Sequence, residues 1–510
     1  YPFCWRTDTP LIYRVMNSWF MSVEKIKDDL IEANEDIYWM PAHVKHKRFG
    51  NWLENARDWA ISRNRYWGTP LPLWEAEDGE RLVIGSISEL EKLTGEKITD
   101  IHRHFIDDLV IEKNGKKFRR TEEVFDCWFE SGSMPYAQSH YPFSNKSLFE
   151  NNFPAHFIAE GLDQTRGWFY TLLVLGTALF GRSPYKNVIV NGIVLAENGQ
   201  KMSKRLKNYP EPDKVLEKYG ADAVRLYMVH SPLVHANDSR FSEKGVEQVF
   251  RKTIIPLWNA HNFFTTYAKI YNWDKKKHFS PPKTLLDQWI ISQLNKLISQ
   301  IEKGMDRYDL YAASDPFVEF IDQLTNWYIR RSRRRFWNDK ACPDRDQAFS
   351  TLYTVLTEFA KISAPFIPFI TEAIYQNISG DLKKHPSVHL CDYPLYHEDQ
   401  RDLFLEKNMS ALQTTVSLGH SLRKTHKIKV RQPLQKAYIA AQDPDIKEFL
   451  IDQKHLILEE LNLKEVVFHD DETQFVTISS KPNFRVLGKK VGQLLKPLQQ
   501  KISCLDSDQV

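Results

Sequence analysis

The stretch that most constrains this chain is GWFYTLLVLGTALFG, residues 167–181, an apolar run closed by Arg166 and Arg182. A membrane-spanning helix needs roughly 18 or more apolar residues, so the run predicts a helix buried in protein. Its flanks supply the context. HFIAEG (156–161) reads as a short apolar strand ending in glycine, and NVIVNGIVLA (187–196) as a second. The loop ENGQKMSKRLKN (197–208) follows, then helical patterns at DKVLEKYG and ADAVRLYMV. Strand, helix, strand, loop, helix is the order of a parallel, doubly wound α/β sheet. Ligands of such sheets sit at the carboxyl ends of the strands.

With 510 residues the chain is long enough for two to four domains. Residues 1–40 alternate in short runs such as TPLIYRV and predict strands and connections. RFGNWLENARDWAI (48–61) predicts a helix that Gly68, Pro70 and Pro72 bring to an end. Residues 76–120 are polar, with a helix at ISELEKL and a hairpin, polar on both sides, at Asn114-Gly115; they read as a peripheral insertion. From 245 to 380 the pattern is amphipathic and helical, a bundle entered at Pro281-Pro282. From 400 onward a helix mixes with short strands at KAYIAA, EVVFHD and TQFVTISS, giving an α+β region. The fold class is therefore α/β, then all-α, with a small α+β end.

Net charge of +3 excludes a uniformly basic coat and leaves room for a local basic patch. Cys4, Cys127, Cys342, Cys391 and Cys504 lie far apart with no C-x-x-C pair, which suits a reducing, cytoplasmic setting and gives no zinc framework. There is no H-E-x-x-H or G-x-S-x-G arrangement and no signal peptide.

Four segments carry candidate chemistry. In the lysine loop, Lys201 and Lys204 flank a small Met-Ser pair. Lysines are mobile point charges suited to phosphates, and they stabilise charge on a leaving pyrophosphate; a solvated surface turn is the plain alternative. In AEGLDQTRGWF, Glu160, Asp163 and Gln164 stand three and four apart, which predicts one face at the first turn of the helix. Such acceptors suit ribose hydroxyls or a substrate ammonium, although Asp163 alone would serve as a helix cap. In CWFESGSMPYAQSHYPF, Trp128 and Phe129 precede a Ser-Gly-Ser turn and, with Trp168, either wall an apolar pocket or fill core. In WYIRRSRRRFW (327–337), five arginines among aromatics make either a stacking and phosphate surface for RNA or a solvated helix face.

Taken in order, these segments resemble the class I aminoacyl-tRNA synthetases, over nearly the whole chain and least from about residue 400. KMSKR at 201–205 resembles the family's second signature, KMSKS, with Arg205 in place of the last serine. NARDWAISRNRYWGTPLPLW, DCWFESGSMPYAQ and EGLDQTRGWFYTLL are similar to its isoleucine-specific branch, and SGSMPYAQSHYPF to a eukaryotic-like subgroup that some bacteria carry. The resemblance implies a Rossmann-like catalytic domain, ATP with Mg2+ on its phosphates, and tRNA(Ile) and isoleucine as partners of a monomer without membrane contact. It implies that Lys201 and Lys204 contact ATP phosphates and that Glu160, Gly161, Asp163 and Gln164 hold the adenylate. Asn191 and Gly192 would approach the adenine, Asn191 standing where histidine is usual. Trp128 and Trp168 would border the isoleucine pocket, and the bundle, with Trp327, Arg330, Arg331, Arg334 and Arg335, would bind tRNA.

The same resemblance divides the chain. Residues 1–45 would be the return segment from an editing insertion, and 46–240 the second half of the catalytic domain. Residues 241–280 would be connecting helices, 281–400 the anticodon-binding bundle and 401–510 a truncated C-terminal region. The family's first signature, H-x-G-H, is absent: HVKH at 43–46 lacks the glycine, and SLGH at 417–420 lacks the first histidine. The expectation is a chain that starts after the editing insertion, its partner histidines lying before residue 1. One methylene separates isoleucine from valine, about 1–3 kcal/mol, a limit for which isoleucine-specific enzymes are themselves the usual illustration. Alone, then, the chain is expected to be nearly inactive. Thr7 replaces the second residue of a Cys pair with which some relatives hold zinc, so no metal site is expected there. The rival readings are a non-catalytic RNA-binding paralogue and a valine- or leucine-specific enzyme.

Overall fold

The computed structural model describes residues 1–4, 7–203, 207–338, 342–378, 383–469, 483 and 495–503. They form two compact units: Tyr1–Trp258 with Gln300–Val318 and Ser363–Ala373, and Asn259–Ser299 with Glu319–Ile362 and Ile374–Val510.

In the first unit the apolar run is the helix Trp168–Phe180, buried from Phe169 through Thr177. It packs on a parallel sheet whose middle strand is Asn187–Asn191, flanked by Ile158–Gly161 and Tyr38–Met40. Val188 and Val190 share one core with Ile158, Trp39, Leu172 and Leu173. A strand covered in this way reads as the continuous apolar run VIV. The Tyr185 hydroxyl, itself buried, donates to the Phe169 carbonyl at 2.8 Å and ties the start of the helix to the strand that follows.

Several local expectations are corrected. TPLIYRV forms no strand beyond a bridge between Phe3 and Pro10, and a helix unread in the sequence, Lys27–Glu35, buries Leu30 and Ala33 instead. The helix in RFGNWLENARDWAI begins earlier, at Lys45, and ends at Glu54. Trp59–Ala60 is extended and pairs with Phe20–Met21. The cause is buried Asp126, which takes the Trp59 indole at 3.2 Å and the Arg63 guanidinium at 2.9 Å.

Residues 73–120 form a four-stranded antiparallel sheet with its own core. Its helix, Ile87–Thr94, is set by local chemistry: Ser86 Oγ accepts from the Glu89 N–H, Glu89 returns to the Gly85 N–H, and left-handed Gly95 ends it. The Asn114-Gly115 hairpin is present, but only one side is polar, because Ile111 and Phe118 point into the core. The chain enters this module at Leu73 and leaves at Arg120, with Trp74 directly opposite Arg120.

The second unit is helical around Trp289, Tyr328, Phe336, Phe349 and Phe359, all fully buried. Its last described strands, Leu434–Ala440 and Leu463–His469, pair in parallel and carry KAYIA and EVVFH of the two expected strands. TQFVTISS lies outside the described residues.

Candidate active site

Parallel pairing brings two of the expected segments side by side. Glu160 stands opposite Val190 and Gly161 opposite Asn191, so both strands end at the same level. Gly192 continues from Asn191 in close contact: a Cβ there would lie 1.9 Å from the Asn237 carbonyl oxygen. Its N–H donates to the Leu233 carbonyl at 2.8 Å, and the next N–H, of Ile193, to Asp238 at 3.1 Å. Glycine is required here by proximity, not by φ.

Beyond Gly161 the expected first helical turn is a 3-10 turn, Leu162–Arg166, and the α-helix begins only at Trp168. Glu160 is therefore on the strand, and Asp163 and Gln164 are on the turn, rather than all three on one α-helical face. Gln164 Oε1 accepts from the Trp168 N–H at 3.0 Å, so it caps the buried helix, and its amide donates to Asp163 at 3.2 Å. Thr165 is buried and accepts from Arg48 Nε at 3.2 Å, which anchors the turn from below. Glu160 and Asp163 remain exposed.

The aromatic pair converges on the same turn. Trp168 donates its indole N–H to the Ser131 carbonyl at 3.0 Å, and a Cβ on Gly167 would meet the Trp128 ring at 3.1 Å. Gly132 lets the helix Cys127–Gly132 press on Thr171 and Leu175 of the buried helix. Trp128 keeps 39% of its surface exposed, as a pocket wall requires. Phe129 stacks on Phe125 at 4.2 Å instead.

The lysine loop leaves the strand Val194–Leu195 through a turn at Asn198-Gly199, with Gly199 at φ 82°. Lys201 returns opposite Leu195. Asn208 closes the loop, donating to the Lys201 carbonyl at 3.0 Å and accepting from the Ser203 N–H at 2.9 Å. Lys201 is exposed and has no ion pair among the described residues; Lys204 and Arg205 lie outside them. Asn208, which closes the lysine loop, and Asp126, which stands just before the Trp128 helix and holds Trp59 and Arg63, were not singled out in the sequence, and nothing there distinguishes them from ordinary polar residues. Exposed acceptors, an exposed lysine and a half-exposed tryptophan suit a nucleotide with a small apolar group. Among the described residues no three His, Cys, Asp or Glu cluster to hold a metal ion. His385 and His389 do stand four apart, but His385 is in irregular backbone and His389 in a short 3-10 element, so they are not on one helical face.

In the second unit the arginine segment is a helix, but its aromatics point the other way from the stacking surface expected of them. Trp327, Tyr328 and Phe336 are buried and Trp337 alone of the four is exposed. Arg335 forks onto buried Asp287 with bonds of 2.9 and 2.8 Å, and also reaches Asp344 at 2.8 Å. Burial alone would lower its pKa, but the bonds and charge of Asp287 outweigh it and raise the pKa. Arg331 bridges Glu460 and Glu459, and Arg330 pairs with Glu460 at 2.6 Å. Arg334, 91% exposed in its side chain, points outward, as does Arg333, which the sequence reading did not select.

A family model described as tRNA synthetases class I (I, L, M and V) matches residues 8–240, and one described as the anticodon-binding domain of tRNA ligase matches 287–438. The chain is 64% identical over 500 residues to the isoleucine–tRNA ligase of Protochlamydia amoebophila, a match covering 98% of this chain and 48% of that protein. It belongs to the class I aminoacyl-tRNA synthetases. The isoleucine–tRNA ligase of Chlamydia pneumoniae is 57% identical over 512 residues, covering 100% of this chain and 49% of its own. This synthetase chain thus spans about half the length of the curated relatives it matches. Its fold is shared with two solved synthetases at low identity. Mycobacterium tuberculosis methionyl-tRNA synthetase with methionyl-adenylate gives a TM-score of 0.53 at 15% identity over 73% of this chain and 65% of that one. The ternary complex of Agrobacterium radiobacter LeuRS with tRNA and LeuAMS gives 0.51 at 18% over 71% of this chain and 46% of that one.

Proposed function

We propose that a full-length protein containing this chain is an isoleucine–tRNA ligase. The isoleucine carboxylate attacks the α-phosphate of ATP, expelling pyrophosphate, and the terminal ribose hydroxyl of tRNA(Ile) then attacks the acyl carbon of the adenylate, breaking the acyl–phosphate bond and releasing AMP. The observation that carries this reading is the register of Gly161 with Asn191, which sets EGLDQ and the strand leading into the lysine loop at neighbouring carboxyl ends. Lys201 offers its ammonium to charge building on the pyrophosphate, and Lys204 carries the same expectation. Glu160 and Asp163 are the acceptors for hydroxyl and ammonium groups, while Trp128 and Trp168 flank the apolar side chain. Magnesium belongs on the nucleotide phosphates. No side-chain nucleophile is called for; positioning and charge do the chemistry.

The test is ATP–pyrophosphate exchange by the full-length protein with isoleucine, valine and leucine in parallel. Isoleucine is expected to drive exchange best, and the 510 residues alone to drive almost none. Exchange that no amino acid stimulates would favour the RNA-binding paralogue, and exchange best with valine or leucine would change the branch.

A further inference from the structure

One strongly charged surface is left over by this reading. From Lys407 to Gln442 the chain holds seven Lys or Arg in 36 residues and no Asp or Glu. Three of the seven have internal partners. Lys407 pairs with Asp443 and Lys436 with Glu465, while Arg423, 4% exposed, is turned inward. Lys424, Lys427, Lys429 and Arg431 are exposed and have no ion pair among the described residues.

These four cations are held on a built loop, not on a frayed helix end. The helix Leu403–Thr425 closes with the Lys427 N–H on the Lys424 carbonyl at 3.1 Å and the Ile428 N–H on the Arg423 carbonyl at 2.8 Å. That double bond pattern puts a left-handed residue at the turn, the place where glycine carries no side-chain penalty. Here it is Lys427, at φ 56°. The guanidinium of Arg423 then donates to the carbonyls of Lys429, Gln432, Leu461 and Asn462, at 2.6–3.2 Å. Asn462 also donates to the Val430 carbonyl at 3.0 Å. A buried arginine thus fixes the loop that displays the lysines.

The same short segment holds the arginine helix. Glu459 and Glu460 bind Arg331 and Arg330, and the next two residues, Leu461 and Asn462, bind the basic loop. Pairing consumes the inner arginines and leaves Arg333 and Arg334 exposed, Arg334 with one long ion pair to Glu459 at 3.9 Å, so both displays of exposed cations are anchored on four consecutive residues. Lysines near a helix C-terminus complement its dipole, which accounts for Lys424. It does not account for Lys427, Lys429 and Arg431, which lie past the last turn. Positions fixed in space with unneutralised charge fit a phosphodiester backbone, which carries regularly spaced charge and needs no base reading.

We propose that the loop Lys424–Arg431 is a second RNA-backbone contact of this unit, continuous with the exposed arginines of the arginine helix. The proposal rests on the ligase reading for the choice of RNA over another polyanion. The experiment uses the 510-residue chain, a tRNA(Ile) transcript and poly-glutamate as an acidic-protein probe, from 50 to 200 mM KCl. One variant, Lys427→Gly, removes a charge while relieving the left-handed position. The other joins it to Lys429→Ala and Arg431→Ala.

The triple variant is expected to lose about 2–3 from the slope of log affinity against log salt, so its weakening across the fourfold range is about 20- to 40-fold less than wild type. Lys427→Gly alone should lose about 1, roughly threefold over that range, with a melting temperature no lower than wild type. tRNA binding with an unchanged slope in both variants overturns the loop contact and leaves the ligase reading standing. Loop-dependent binding of poly-glutamate without tRNA binding, or binding of neither probe, also overturns it. Failure of the ligase reading shows separately, as absent isoleucine-dependent exchange in the full-length protein.

Discussion

Replacing Arg335 by alanine should act on folding and only secondarily on RNA. Asp287 is fully buried and its carboxylate accepts two bonds from Arg335, one from the Tyr328 hydroxyl at 2.8 Å and one from Thr284 at 2.7 Å. Truncating Arg335 leaves that carboxylate with two neutral donors and no counter-charge. Removing one member of a buried pair costs about 3–5 kcal/mol, two to nearly four orders of magnitude in the local opening constant. Because the chain has two units, a whole-chain unfolding measurement would not isolate this pair, and amide hydrogen exchange across Arg330–Phe336 is the suitable readout. Arg334→Ala, with its side chain 91% exposed, should change that exchange by no more than about 0.5 kcal/mol. Replacing both partners, Arg335→Met with Asp287→Leu, should recover most of the loss, since two apolar groups need no counter-charge. An Arg335→Ala protein with exchange within about 1 kcal/mol of wild type and clearly weaker tRNA binding would refute the reasoning and return this guanidinium to the RNA surface.

Lys201→Ala should lower isoleucine-dependent exchange in the full-length protein by about 100-fold or more while leaving its melting temperature unchanged, since the residue is exposed and without an ion pair among the described residues. Gly192→Ala forces a Cβ against the Asn237 carbonyl and should cost roughly 1–3 kcal/mol in thermal stability and raise the KM for ATP. Asp222 accepts from the Phe369 and Ile370 N–H groups, yet burial lifts its carboxyl above the ordinary 3.8. A raised acid binds its proton more tightly when folded, so its contribution is full below the unfolded pKa and falls as pH climbs through the folded one. The stability difference between wild type and Asp222→Asn should therefore move against wild type as pH rises from about 4, and a move in its favour would contradict burial as the cause.

Strands and the buried helix were legible because burial on both faces writes itself as unbroken apolar sequence, as in Val188-Ile189-Val190 and Phe169 to Thr177. The helix Lys27–Glu35 escaped because only two of its apolar side chains, Leu30 and Ala33, are buried, and the rest of its sequence reads as polar linker. The end of the helix at Glu54 depended on Asp126, about seventy residues on, which no local pattern announces. At the candidate site the residue types were legible, but the turn was not. Gly167 breaks the helix one residue before Trp168, which moves Asp163 and Gln164 onto a 3-10 turn. Among the arginines, charge was visible in the sequence and its neutralisation was not: Glu459, Glu460 and Asp287 are remote in sequence, and they decide which guanidinium groups face water.

The peripheral sheet of residues 73–120 begins and ends at one doorway, because Trp74 and Arg120 stand opposite each other on paired strands and the Thr121 N–H donates to the Leu73 carbonyl beside them at 2.9 Å. Paired residues on antiparallel strands sit about 5 Å apart, so a turn of a few residues bridges the same gap. With a private core, the module can be lengthened, exchanged or removed without re-threading the parallel sheet that carries the Glu160 and Asn191 strands. It is a natural cassette: the place in this chain where a reporter or a foreign domain would be grafted at least cost to the candidate site.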